Sequence, residues 1–537
     1  MRFPRPVISS GFLCVLTALY LLFFNNRTFW TLILQYFDGQ LMKVVVMAVA
    51  LLLLHIAILV LFSAQYVIKP FLILMVMTAA GGSYFGETFG TIITRNVVEA
   101  TLTTTAGESR NLMTTGFITH MVLYGLLPSL LIVWVRIKHR PIFKKILVNT
   151  PVILGCVVGF VVLVASDFGA YSSMYRMHRN DIMARLVPYK PVASTVDYFV
   201  RHYTERHIVM QPLGQDAVQE TVALPEGKKL LTVVVVGETA RAQNFSLNGY
   251  NRETNPELKK REVIAFTNTT SCGTETSVSV PCMFSPFPRK DYSSAKFKGS
   301  ENLLDVLQYA GVKVEWWENN TGDKGVADRS KLIDLQNSYD PKYCEGGECL
   351  DQILSDYLRD HLKDFDGNTT LVLHMTGSHG PAYYMRYPPE MAQFKPECRT
   401  AEFSECEDSQ IVNAYDNTIL YTDKILSQII DILKANEDKF VSSMIYMSDH
   451  GESLGERGLY LHAAPYFIAP DTQTHIPFIT WFSPDYQAVT GTDLSCLRAS
   501  TAEEASHDNL FHTVLGMMNV KTSVYDRSLD RFAACRK

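Results

Sequence analysis

The sequence predicts an α/β protein in two parts: five N-terminal transmembrane helices, then an exported domain built on a mainly parallel central sheet. Three observations carry that prediction. Long apolar runs nearly free of charge are confined to residues 1–168. Later in the chain, continuous apolar runs rich in β-branched residues end at glycine, acid or histidine. Eight of the ten cysteines lie after residue 270.

A chain of 537 residues, 47% of them apolar, exceeds one ordinary domain. A helix of about 20 apolar residues crosses a bilayer, and candidates stand at 7–25, 42–64, 66–85, 116–135 and 146–168. The run from Leu41 to Ala64 has no charge after Lys43, whereas Gly81 and Gly82 weaken the third candidate and could end it early. The first follows Arg2 and Arg5 as a signal peptide would, but no small-residue cleavage site follows it, so it reads as a retained anchor. Arg136, Lys138, His139, Arg140, Lys144 and Lys145 crowd the fourth connection, on the same side as Arg2, Arg5 and Lys69. The excess of basic residues on cytoplasmic loops puts that side inside, and an odd number of spans exports everything after residue 168.

Residues 169–214 are too polar to span and too patterned for a flexible linker. They read as short amphipathic helices at the membrane–water interface, with Tyr171, Tyr175 and Tyr189 as anchors. A solvated helical connector is the alternative. The domain from 215 to 537 holds the remaining eight cysteines, while Cys14 and Cys156 lie in spans. An even set in an exported domain suits disulfides. Four neighbouring pairs are plausible: Cys272 with Cys282, Cys344 with Cys349, Cys398 with Cys406, and Cys496 with Cys535. A structural zinc site would want paired C-x-x-C spacing, which is absent from the sequence. The net charge of −5 argues against a nucleic-acid partner.

The exported domain opens on Leu230–Val236, a β-branched run suited to a strand buried on both faces, with Gly237 and Glu238 at its end. Thr370–His374 and Ser443–Met447 repeat the pattern, leading into Met375-Thr376-Gly377-Ser378-His379 and Ser448-Asp449-His450-Gly451-Glu452. Ile411–Leu433 has helical apolar spacing, and alternating strands and helices imply a parallel sheet with ligands at its carboxyl edge. Trp316 and Trp317 read as core.

Glu238, Asp449 and His450 offer two carboxylates and an imidazole, a ligand set suited to zinc. Ser271–Cys282 could present a hydroxyl, from Thr276 or a neighbour, that a metal would activate as a nucleophile. A surface hairpin stapled by a disulfide is the plain alternative for that segment. His374, His379, His462 and Lys324 could hold phosphate oxygens or a second metal, although any one histidine alone reads better as structural. Gly451-Glu452-Ser453-Leu454-Gly455 matches the serine-hydrolase pattern, but Ser448, Asp449 and His450 take the strand exit, leaving Ser453 in the helix expected next.

The segments VVVVGETARAQNFSLNGY, SCGTETSVSVPCMFS, HMTGSHGPAYYMRYPP, YDNTILYTD, SDHGESLGERGLYLHAAPY and SHDNLFHTVLG resemble the lipid A phosphoethanolamine transferases. That family includes the mobile colistin-resistance enzymes and has an alkaline-phosphatase- or sulfatase-like periplasmic domain. The resemblance implies Thr276 as nucleophile and Glu238, Thr276, Asp449 and His450 as ligands of one tightly bound Zn2+, with a second zinc allowed for. It assigns Asn320, Lys324, His374, His379 and His462 to substrate or second-metal binding, and Thr104 and Glu108 to the membrane-side substrate. The implied reaction moves phosphoethanolamine from phosphatidylethanolamine to a lipid A phosphate through a covalent threonine intermediate, at the bacterial inner membrane, and confers polymyxin resistance. A monomer surrounded by membrane lipids is expected. The alternative is a phosphoethanolamine or phosphoglycerol transferase acting on another envelope glycan or a lipopolysaccharide core acceptor.

The sequence also departs from the family. Glu275 replaces a small residue, and Asp323 and Ala327 replace a further cysteine pair around Lys324. Ala100 stands where asparagine is common, while Glu108 is retained, in a loop from Gly86 to Thr115 that could reach back toward the active site.

Overall fold

In the computed structural model, which describes residues 5–104, 106–345 and 347–536, the chain divides into two units, each with its own core. Unit 1 comprises Met1–Val98 and Met113–Phe199, and unit 2 comprises Glu99–Leu112 and Val200–Lys537.

Unit 1 begins with α1 (Ser10–Phe24), capped where the Ser9 hydroxyl accepts the Phe12 N–H. With 15 residues, α1 alone is short for a bilayer. It passes as a span only together with α2 (Arg27–Tyr36), from which it is bent by 67°. The bend sits at Asn26, whose side chain bonds the Leu21 and Val187 carbonyls and accepts the Val187 N–H. Among the described residues, four further helices are long and apolar enough to cross a membrane: α3 (Leu41–Leu61), α4 (Ile68–Thr88), then, after α5 (Arg95–Thr103) and α6 (Ala106–Leu112), α7 (Thr115–Trp134) and α8 (Ile142–Ala165). The pair Gly81–Gly82 does not end α4. A Cβ at Gly82 would stand 2.8 Å from Val187 Cγ1, so the glycine serves close packing. Val7–Ser9 pairs in parallel with Arg136–Lys138, which gathers the basic ends of the first and fourth spans on one side. Next come α9 (Phe168–Arg185) and α10 (Tyr189–Glu205). Val196, Phe199, Val200 and Tyr203 form an exposed apolar stripe along α10.

Unit 2 is organised by a seven-stranded sheet. Its elements are β1 (Lys229–Gly237), β2 (Ile264–Phe266), α11 (Thr276–Met283), β3 (Lys313–Glu318), β4 (Lys331–Asp334), β5 (Thr369–His374), α12 (Asp408–Lys434), β6 (Phe440–Ser448) and β7 (Phe478–Phe482). The strand order is β2-β7-β6-β1-β5-β3-β4. The strands β6, β1, β5, β3 and β4 run parallel, and β7 and β2 add antiparallel pairings at one edge. Every residue of β5 and β6 is buried, as is all of β1 after Lys229, so these runs are mainly apolar and do not alternate, and the few polar residues among them, such as Thr232 and Ser443, are buried too. Val236 stands opposite both His374 and Met447, and His374 stands opposite Glu318. That register levels the strand ends and delivers Glu238, Asp449 and Met375 to one edge. Trp316 and Trp317 are core, and α12 buries the apolar stripe predicted for 411–433.

The four expected disulfides are all formed. Cys272 is bonded to Cys282, Cys344 to Cys349, Cys398 to Cys406, and Cys496 to Cys535. The first three close short loops of 10, 5 and 8 positions, while the bond from Cys496 to Cys535 reaches across 39 and ties the C-terminal end of the chain to the domain. Cys14 and Cys156 are free.

One local expectation fails. Ser453 is not helical. It sits in a two-residue strand against Leu461, buried and hydrogen-bonded by Gln473 Nε2 at 2.9 Å. The chain turns back there in place of starting a helix, because Gly455 has φ 114° and Arg457 φ 56°.

Candidate active site

Three groups converge beyond the ends of β1 and β6. His450 Nε2 lies 3.4 Å from Glu238 Oε1 and 3.3 Å from Asp449 Oδ2. The His450 ring donates its Nδ1–H to the Gly451 carbonyl at 2.9 Å, which leaves the Nε2 lone pair facing the two acids. Thr239 follows Glu238 with φ 50°, rare for a β-branched residue, and directs its N–H to Asp449 Oδ1 at 3.1 Å. The same oxygen accepts the His450 N–H at 2.7 Å. Gly377 packs behind Glu238, where a Cβ would meet the Glu238 carbonyl at 2.7 Å.

The residues present fit a metal ion. Glu238 Oε1 and Asp449 Oδ2 are buried without a hydrogen-bond partner, and both face His450 Nε2. Ligand atoms of Glu238, Asp449 and His450 lie within 4.8 Å of one another. Burial, and then the charge of Asp449, push the Glu238 carboxyl up, and burial likewise raises Asp449 and depresses His450. Two buried acids that resist ionising side by side are what a divalent cation relieves.

Thr276 is the first residue of α11, and the Cys272–Cys282 disulfide fixes its loop to that helix. Its hydroxyl donates to Glu238 Oε2 at 3.0 Å and lies 3.5 Å from His450 Nε2. Asn320 Nδ2 donates to the same Glu238 oxygen at 2.8 Å and to the Met375 carbonyl. The His462 ring lies 4.5 Å from that of His450 and 5.6 Å from that of His379, tilted to both. Burial works against a charge on His462, but Glu452, whose Oε2 lies at 2.8 Å, together with Glu238 and Asp449 outweighs it and raises the imidazole to about 9. His374 ends β5 with Nδ1 on Glu318 Oε2 at 2.9 Å and Nε2 buried without a partner. Burial depresses His379, whose Nδ1 is 3.2 Å from Glu108 Oε1, close but not aligned as a hydrogen bond. Thr104 Oγ1 donates to Glu108 Oε2 at 2.5 Å. Lys324, at φ 53°, turns its Nζ onto the Thr321 carbonyl and hydroxyl in its own loop.

Residues 51–203 match the family model described as "Phosphoethanolamine transferase EptA/EptB", and residues 231–520 match that described as "Sulfatase". Phosphoethanolamine transferase EptA of Escherichia coli (strain K12) is 39% identical over 471 residues, 87% of this chain and 86% of that protein. The chain belongs to the phosphoethanolamine transferase family. Phosphatidylethanolamine transferase Mcr-2 of Escherichia coli is 34% identical over 98% of both chains. The solved integral membrane protein lipooligosaccharide phosphoethanolamine transferase A (EptA) from Neisseria meningitidis superposes with a TM-score of 0.95 at 36% identity, covering 99% of this chain and all of that one.

Several residues of this phosphoethanolamine transferase that hold the site in shape carry no motif of their own. Glu318 is buried and uses both oxygens: Oε1 accepts the Asn320 N–H at 2.6 Å, and Oε2 accepts from Trp316 Nε1 and His374 Nδ1. His507 joins the Thr276 loop to the end of β6. Its Nδ1 accepts the Cys272 N–H at 3.0 Å and its Nε2–H donates to the Ser448 carbonyl at 2.9 Å. The available signal is placement: Glu318 ends a buried strand, Glu452 follows the Asp449-His450 pair, and His507 lies in a segment shared with the family.

Proposed function

We propose that this chain catalyses zinc-dependent transfer of phosphoethanolamine from phosphatidylethanolamine to a lipid A phosphate, with unit 2 on the periplasmic face of the bacterial inner membrane and residues 169–214 at the membrane surface. The observation that carries the reading is the convergence of Thr276 Oγ1 with the unpartnered atoms of Glu238 and Asp449 on His450 Nε2. Glu238, Asp449, His450 and Thr276 would hold the zinc, which as a Lewis acid supplies charge stabilisation at phosphorus and favours the ionised hydroxyl.

In the first step Thr276 Oγ1 attacks phosphorus and its proton passes toward Glu238 Oε2, the atom it already faces. The phosphorus–oxygen bond to diacylglycerol breaks, and the leaving alkoxide takes a proton from His462 or His374, whose carboxylate partners favour the protonated ring. In the second step an oxygen of the lipid A phosphate attacks the same phosphorus, the Thr276 ester bond breaks, the threonine takes back the proton held at Glu238 Oε2, and the histidine that protonated diacylglycerol is reprotonated from solvent. Asn320 keeps Glu238 oriented throughout, and Lys324 would swing from Thr321 to a phosphate oxygen.

A phosphate monoester carries about −1.5 to −2 charges. Its conversion to an aminoethyl diphosphate leaves about one negative charge on each of two phosphorus atoms and adds one positive charge, so the site falls to about −1 and its attraction for cationic peptides, worth about 1 kcal/mol per basic residue, weakens. Cells expressing the protein should gain lipid A heavier by one phosphoethanolamine and resist polymyxins, and Thr276→Ala should abolish both. Resistance without that mass change would redirect the search to another acceptor. Near-normal transfer by Thr276→Ala would reject the mechanism.

A further inference from the structure

Helix α6 lies in the sequence between two membrane-crossing helices, yet its residues belong to unit 2. Its sequence, AGESRNL, has a single large apolar residue, so polar ties must hold it in register. One of them runs through Glu348, a side chain that also holds Arg386. Glu348 is buried in a small hairpin, paired antiparallel with Cys344–Glu345 and closed by the Cys344–Cys349 disulfide. Its Oε2 accepts from Asn111 Nδ2 at 3.1 Å and lies 3.0 Å from Arg386 Nη1. Its Oε1 accepts from Arg386 Nη2 at 3.0 Å.

Each of those partners leads to one half of the Glu108–His379 pair. Arg386, itself buried, donates from Nε to the His379 carbonyl at 2.7 Å, so the guanidinium fixes the backbone that carries the imidazole. Asn111 lies three residues beyond Glu108 on α6, the spacing that puts both on one helix face. Glu348 therefore ties the carboxylate side and the imidazole side of a 3.2 Å contact that has no aligned hydrogen bond of its own.

We propose that Glu348 is the positioning residue that holds Glu108 against His379, and so shapes the side of the site that receives the donor lipid. The inference rests on the reading that Glu108 and His379 meet substrate. Glu348 touches neither the reacting atoms nor the zinc ligands; it acts through Asn111 and Arg386.

The test uses the full-length protein in lipid nanodiscs. Asn111→Ala removes one tie without stranding a buried charge, and Glu348→Gln weakens both. A hydrogen bond to a charged group translates to roughly a 10-fold effect. Each variant should raise KM for phosphatidylethanolamine by about that factor, leaving kcat and zinc content near wild type. Arg110 is exposed. Trypsin should therefore cut after Arg110 faster in both variants than in the wild type, a readout independent of catalysis. Asn111→Asp should behave worse alone, because it faces Glu348, and the double variant Asn111→Asp with Glu348→Gln should recover protection by reversing the bond. Wild-type KM and wild-type protection in both single variants would overturn the proposal. So would parallel losses in kcat and KM that track thermal stability. If the wild type moved no phosphoethanolamine, the proposed function would fall, while the trypsin comparison would still decide whether Glu348 clamps α6.

Discussion

Replacing Glu318 by glutamine asks how much of the site is held by one buried carboxylate. Its two oxygens serve three donors: the Asn320 N–H, Trp316 Nε1 and His374 Nδ1. An amide offers one oxygen. If that oxygen faces His374 and Trp316, the new NH2 meets the Asn320 N–H, and one buried donor is stranded. If it faces Asn320, Trp316 Nε1 is stranded and His374 must change tautomer. The cheaper arrangement costs roughly 1–3 kcal/mol of stability, the penalty for a buried unpaired donor. The effect on rate should be larger. Asn320 orients Glu238 Oε2, the oxygen that faces Thr276, and a misplacement near 1 Å at such a site costs about 100-fold. Removing the carboxylate also removes the charge that holds His374 above its ordinary pKa against the burial that depresses it. Thermal unfolding in detergent and turnover of labelled phosphatidylethanolamine should show a folded, slightly less stable enzyme with a collapsed kcat. Near-wild-type turnover would refute the reasoning, and so would a rate loss no larger than the loss of folded protein.

Two further outcomes follow from the cluster and its support. Asp449→Asn keeps Oδ1 for the Thr239 and His450 amides but replaces Oδ2 by an NH2 that cannot ligate, so zinc per protein, measured by atomic absorption, should fall while the fold persists. His507 is pushed by burial from 6.5 down to about 3. The unfolded chain takes up that proton first, so this residue lowers stability as pH falls from about 6.5 toward 3 and contributes nothing above. His507→Gln should flatten that part of the curve of unfolding temperature against pH; an unchanged slope would remove His507 as its source.

Much of the architecture is legible because burial on both faces leaves a plain mark. The runs ending at Glu238, His374 and Asp449 contain no polar alternation, and their register aligns those ends. The cysteine pairs are legible from compartment and proximity, including the widest, Cys496 with Cys535. What stays hidden depends on separation in sequence. His507 bonds residues 235 and 59 positions away, and no local pattern encodes such a bridge. The bend after α1 escapes hydropathy, which averages over Asn25-Asn26, where one amide reaches Val187, 161 positions on. Ser453 reads as helical from its spacing alone, because the turn after the strand rests on backbone angles at Gly455 and Arg457 that composition does not report.

The catalytic unit is discontinuous in sequence, and this matters for any attempt to study it as a soluble fragment. A chain begun at Val200 would carry Glu238, Thr276, Asp449 and His450 complete, with His507 and Glu318 to support them. It would leave Glu99–Leu112 behind, and with that segment Thr104, Glu108 and Asn111. His379 would then face solvent where the intact enzyme sets a carboxylate against it. On the proposed function, metal affinity and the reactivity of Thr276 should survive such truncation, while preference among lipid donors should change, and comparing the fragment with the full-length protein would measure both.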